Sequence, residues 1–285
     1  MRLAQIRFLL PPFTPRGVAA CAQAGFGRLF ALQVLVAFFS GLVVLWLADR
    51  AWFPVLRQAI KALPDQGEIS GGTLRRADTT PVTLAGGHFL ALSVNVDRAT
   101  SLGNPSHVKI EFGRTNVLVC SLLGCLPVNY PQRWRIAFNR PELEPWWGAR
   151  ESFIRFGLAG AVAGGVWLSW QVLSLIYSLP AWLAASLNNR ELSLLGAWNL
   201  SGAALIPGTA VMLTTIGLYG VGALDLVRLG FGTAIHFLVG WAYLVGAVFF
   251  LPRAAGSARI RVDPFRKGSR KPGSNPFDPG EPGSR

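Results

Sequence analysis

Apolar residues in this chain fall in long uninterrupted runs, separated by stretches rich in charge, glycine and proline. Four runs reach the roughly 20 mainly apolar residues that a membrane-crossing helix requires. The first, LFALQVLVAFFSGLVVLWLA, covers 29–48 between Arg28 and Asp49-Arg50. The second opens near Phe156 and continues through GLAGAVAGGVWLSWQVLSLIYSLPAWLAA. It exceeds one crossing, so a span is expected over 156–180, with the turns beyond Pro180 at the membrane interface. The third and fourth spans are expected over 192–219 and 229–251. Trp46, Trp52, Trp146 and Trp147 stand near the facing ends of the first two spans, as aromatic anchors do at a membrane surface.

Between those two spans the period changes. HFLALSVNVD (His88–Asp97), HVKIEFG (His107–Gly113) and WRIAF (Trp134–Phe138) partly alternate polar and apolar positions between Gly, Asn and Pro, which predicts strands. VLVCSLLGCLPV (Val117–Val128) is almost wholly apolar, but a run of about a dozen residues is too short to span and reads as protein core. The expected architecture is a membrane α-helical bundle of four transmembrane helices with a small β-rich extracytoplasmic domain. Its parts are a cytoplasmic basic tail (1–28), span 1 (29–48), the β-rich domain (49–153), spans 2–4 (154–251) and a disordered basic cytoplasmic tail (252–285).

Composition agrees with a membrane chain: 51% of residues are hydrophobic and only 14% charged, against about 25% charged in soluble proteins. The net charge of +13 does not point to nucleic acid, because the basic residues gather at the ends of apolar runs. That distribution sets orientation instead. Arg2, Arg7, Arg16 and Arg28 precede span 1 without an acid, and eight Lys/Arg follow Pro252, among them Arg253, Lys267 and Lys271. Both termini are therefore expected in the cytoplasm of a bacterial cell, with the chain crossing the inner membrane an even number of times. Arg50, Arg57 and Lys61 give the opposite signal at the far end of span 1. The carboxy-terminal cluster is placed to attract anionic lipid, at about 1 kcal/mol per basic residue.

Candidate chemistry is sparse. Cys120 and Cys125 flank SLLG, a four-residue hairpin loop in this reading, and an oxidising compartment would bond them. So short a ring stabilises by about 2 kcal/mol at most. Buried free thiols, or a metal site completed by His88 and His107, are the alternatives; the spacing matches no zinc pattern, and neither a metal nor a cofactor is expected. His236 and Asn199 are the intramembrane polar candidates, for interhelical hydrogen bonds or for transport. Pro207 should kink the third span. Gly160 and Gly164 form a GxxxG pair, for packing within the bundle or for self-association. No HExxH, GxSxG or P-loop pattern is present, and the chain is not expected to be an enzyme.

ALPDQGEISGGTLRRADTTPVTL (Ala62–Leu84) and NNRELSLLGAWNLSGAALIPGT (Asn188–Thr209) carry a family likeness. They resemble, respectively, the opening of the outer domain and the polar turn, small-residue helix and proline of a bacterial family of uncharacterised polytopic membrane proteins. That family is of the maltodextrin-utilisation type and is distantly similar to Yip-type membrane proteins. The resemblance implies the same order of parts over 29–251 and supplies no catalytic residue. The functional expectation is a non-enzymatic inner-membrane protein that binds a partner, lipid or envelope ligand through its outer domain, alone or as a homo-oligomer. The alternative is a transporter or permease-accessory subunit.

Overall fold

The computed structural model describes residues 11–23, 26–97 and 106–254. The two extreme tails, and with them all of the carboxy-terminal basic cluster except Arg253, lie outside these residues. The described helices are α1 (Pro15–Cys21), α2 (Phe26–Ala51), α3 (Phe53–Lys61), α4 (Arg140–Leu187), α5 (Leu194–Gly220) and α6 (Leu226–Val248). α2, α4, α5 and α6 are each long and apolar enough to cross a membrane.

These four helices alternate in direction, and their ends show it. At one end, Arg50 Nε donates to the Gly220 carbonyl (3.1 Å), joining the last turns of α2 and α5. Asp49 meets Arg155 of α4 there (3.0 Å), and the short connection after Gly220 starts α6. At the other end the turn between α4 and α5 meets the chain after α6, where Glu191 N donates to Pro252 O (2.9 Å). α1 closes this second end: Thr14 caps it by accepting from Gly17 N (3.0 Å), and Val18 is fully buried in the bundle core. The expected basic tail is thus partly a packed helix.

α5 is the enclosed member of the bundle, touching α1, α2, α4 and α6. Its Ala197, Leu200, Ala203, Ala204 and Ile206 form the centre of a core with Trp170, Leu244 and Val248. The turns of α4 beyond Pro180 continue the same helix and bury Ala181 and Ala185 in that core. Small residues permit close approach, though not where GxxxG spacing suggests. A side chain added at Gly160 or Gly164 would meet no atom within 4 Å, whereas a Cβ at Gly41 of α2 would lie 2.5 Å from the Ala159 carbonyl oxygen. Bundle packing therefore uses Ala159 and Ala163 against Gly41. Gly160 and Gly164 sit on the outward face of α4, a rotational phase that spacing alone does not define.

The β-rich region occupies the first end. Its strands are β1 (Glu68–Ser70), β2 (Thr73–Arg75), β3 (Val82–Gly86), β4 (Leu90–Val94), β5 (Val108–Phe112), β6 (Asn116–Ser121), β7 (Gly124–Asn129) and β8 (Ile136–Ala137). A five-stranded sheet runs β3-β4-β5-β6-β7, antiparallel except for the parallel pair β4–β5, beside a three-stranded sheet β2-β1-β8. Every residue of β4 is buried, as a central strand covered on both faces requires. Val55, Ala59 and Leu63, from α3 and just after it, join Ile69, Leu74, Leu92, Val94 and Phe138 in a second core, separate from that of the bundle.

Two expectations for this region change. Residues 49–153 are not wholly β-rich, because α3 and the first turns of α4 lie within them. VLVCSLLGCLPV is core only at its start, where Val117 packs against the second core: it is the β6–β7 hairpin at the sheet edge, and all of β7 is exposed. Ser121 pairs with Gly124, so the loop is Leu122-Leu123 alone, not four residues.

Contrasting glycines test the packing. Gly41→Val should force α2 from α4 and destabilise the protein by about 1–3 kcal/mol, as overpacking does. Gly160→Val should leave the unfolding midpoint of the purified protein unchanged.

Candidate functional site

The small sheet and the start of α4 frame an open cleft of about 840 Å³. Asn139 builds one wall. It caps α4 by accepting from Glu142 N (3.0 Å) while its amide donates to Glu142 Oε1 (3.1 Å) and to the Gly67 carbonyl (3.2 Å). The acids around the cleft are committed to partners on the protein. Arg135 Nε donates to Glu68 Oε2 (2.7 Å), Ser70 Oγ donates to Glu68 Oε1 (3.0 Å), and Arg140 pairs with Asp65 (3.3 Å). The Ser70 hydroxyl first, and the Arg135 guanidinium after it, hold the Glu68 carboxyl below its ordinary pKa.

Arg75 ends β2 and Arg76 follows it, both lining the cleft. Arg76 Nε and Nη1 are buried and have no hydrogen-bond partner among the described residues. Guanidinium donors without a partner are costly once removed from water. The site can therefore accept an anionic group, with Arg75 adding charge nearby. Sequence reasoning did not single out these residues; the signal available was the Arg-Arg pair in GGTLRRADTTP, between two turn-forming stretches.

A second cluster joins the β-rich region to the bundle. The His88 and His107 ring centroids lie 4.4 Å apart, and Phe89 and His107 both pack on Tyr219 in the last turn of α5. His107 Nδ1 is 2.9 Å from the Tyr219 hydroxyl. Burial, and then the His88 imidazole, hold the His107 pKa below its ordinary value, while Asp225 acts in the opposite sense. Cys120 and Cys125 are opposite one another in the β6–β7 register and are joined by a disulfide, so they are not available as metal-ligand thiolates. Among the described residues no group of three or more His, Cys, Asp or Glu is placed to hold a metal.

Inside the bundle, the expected roles redistribute. His236 Nδ1 has the Thr233 carbonyl of its own helix 3.3 Å away, and the ring packs on α5 where Gly208 leaves room; a Cβ there would lie 3.3 Å from His236 Cδ2. It is a packing residue more than an interhelical hydrogen-bond donor. Pro207 is buried within α5, which continues through it as helix. Asn199 is buried in the same helix as Ser201 and Gly202. Near Gly202, Gln171 Nε2 of α4 donates to Gln33 Oε1 of α2 (3.0 Å), and a Cβ at Gly202 would lie 2.6 Å from Gln33 Nε2 and 3.1 Å from Ser174 Oγ. Gln33, Gln171 and Ser174 were not anticipated, although isolated polar side chains inside apolar runs are the usual mark of such contacts.

No family model, curated protein or solved structure matches this chain.

The His107 shift has a testable sign. A lowered folded-state pKa means that its contribution to the junction is complete above the ordinary imidazole value of about 6.5 and is lost as pH falls through the folded-state value. Amide-exchange protection near Phe89 and His107 should fall on acidification more than in the rest of the sheet. His107→Gln should remove that difference; an unchanged pH response in the variant would contradict the assignment.

Proposed function

We propose that this chain is a non-enzymatic bacterial inner-membrane protein with four crossings, both termini in the cytoplasm, and an extracytoplasmic β-rich domain that binds an anionic envelope ligand or partner. The observation that carries the binding reading is the Arg76 guanidinium, whose Nε and Nη1 are buried at the cleft without a hydrogen-bond partner among the described residues, while Glu68, Asp65 and Glu142 are engaged elsewhere. A carboxylate or phosphate group supplies the acceptors that the protein does not.

Three features support the orientation. Arg16, Arg28, Arg190 and Arg253 belong to the segments at the bundle end away from the β-rich region, as the positive-inside rule requires of a cytoplasmic face. At the opposite end, part of the contrary sequence signal is absorbed locally. Arg57 and Arg155 both pair with Glu151 (3.3 and 2.9 Å), and Arg50 donates to a helix-end carbonyl. The Cys120–Cys125 disulfide suits an oxidising compartment outside the cytoplasm. Exposed apolar side chains along α4 and α6, such as Leu175, Leu179, Phe231 and Leu238, supply the surface that lipid would cover.

Binding can be tested with inorganic pyrophosphate and with citrate on the purified full-length protein. Either anion should raise the unfolding midpoint of the wild type. Arg76→Gln should weaken the response by roughly tenfold or more in concentration, since a hydrogen bond to a charged group is worth about 1.5–3 kcal/mol. Equal responses from both proteins, or none from either, would contradict the cleft assignment.

A further inference from the structure

We propose that the tip of the β6–β7 hairpin enters the outer lipid leaflet, so that Leu122 and Leu123 form a second membrane attachment of the β-rich domain beside the first turn of α6. This rests on the reading that the four apolar helices cross a bilayer.

The tip consists of two residues, because Ser121 and Gly124 are the last paired positions. Exposed two-residue hairpin loops ordinarily use Asn, Asp and Gly, whose polar side chains or backbone freedom suit a turn in water. Here both positions are leucine, and Leu123 is 96% exposed and Leu122 65%. Among the described residues nothing covers Leu123, and Leu126 and Val128 of β7 are exposed as well, whereas Leu74, Leu92, Val94 and Phe138 are buried in the domain core.

Location identifies the occupant. Phe89 and His107, next to the starts of β4 and β5, pack on Tyr219 at the end of α5. β6 runs antiparallel to β5, so its last residue pairs with Val108 at that same edge of the sheet. Leu122 then lines one cleft with Asp225, Leu226 and Val227, where α6 begins. Asp225 and Arg228 pair at this level (3.7 Å), and the exposed apolar side chains of Val227 and Phe231 start immediately around them. The hairpin tip is therefore continuous with the surface that lipid would cover. A protein partner is the weaker fit, since a stable interface needs about 800 Å² from each side and the tip is only two residues wide. Directly behind the tip, the Cys120–Cys125 disulfide ties the two strands together.

The test places a benzophenone amino acid at position 123, 235 or 77 in the full-length protein, reconstituted in nanodiscs of phosphatidylethanolamine and phosphatidylglycerol. Ile235 is an exposed apolar residue of α6, and Ala77 lines the polar cleft beside the start of α4. After irradiation, mass spectrometry reads each adduct. Lipid adducts at 123 and 235, and none at 77, are expected. A lipid adduct at 235 but not at 123, or a cross-link from 123 to a second copy, overturns the hairpin attachment and leaves the membrane reading standing. Equal lipid adducts at 77 and 123 also overturn it. No lipid adduct at 235 overturns the membrane reading, and the hairpin attachment with it.

Discussion

A helix of 48 residues is about 72 Å long, more than twice the ~30 Å of a hydrocarbon layer. α4 must therefore carry part of its length outside any membrane it crosses, and its side chains mark where. Up to Arg155 it is polar and paired: Asn139 caps it on the small sheet, Trp147 Nε1 donates to Glu151 Oε2 (3.1 Å), and Arg155 reaches Asp49 and Glu151. From Phe156 onward it is apolar, and much of that length is exposed. One continuous rod thus links the two cores, and the β-rich region cannot reorient freely on the bundle. The partly buried ion pairs of Arg155 with Asp49 and Glu151, together with Phe53 packed on Trp147 (5.9 Å), join α2 and α3 to α4.

For a bundle that crosses a membrane, close backbone approach counts for more than apolar burial, because lipid tails would compete with apolar side chains for the same contacts. Gly41 against Ala159 and Gly208 against His236 are such approaches. The Gln33–Gln171 bond adds a directional contact between α2 and α4. This division of labour explains why α5, the most enclosed helix, is dense in Gly, Ala and Ser over its first half, while the outward faces of α4 and α6 carry large apolar side chains.

Much of this arrangement was legible in the chain because a long apolar run has few alternatives. The four long helices fall where the runs do, and the cysteine pair fell on facing strands because the turn between them is short. What was not legible depended on partners distant in sequence. RPELEPWWGARE (140–151) precedes the expected second span, yet Asn139 starts a helix there because Pro141 suits the first turn and Gly67 offers an acceptor. VLVCSLLGCLPV reads as core by composition and is an edge hairpin, since exposure depends on which strand lies beside it. Arg76 became a candidate only when its surroundings placed its Nε and Nη1 under cover.

The central claim is that the β-rich region and the turn between α4 and α5 lie on opposite sides of a bilayer. Cysteine substitution at Ala77 and at Asn188 in a protein carrying Cys21→Ser, each exposed to a membrane-impermeant maleimide in intact cells, measures this directly. Both positions are exposed on the protein, so accessibility depends on the membrane alone. The account predicts labelling at 77 in intact cells and at 188 only after permeabilisation. Labelling at 188 in intact cells, or at both positions from the same side, would contradict it.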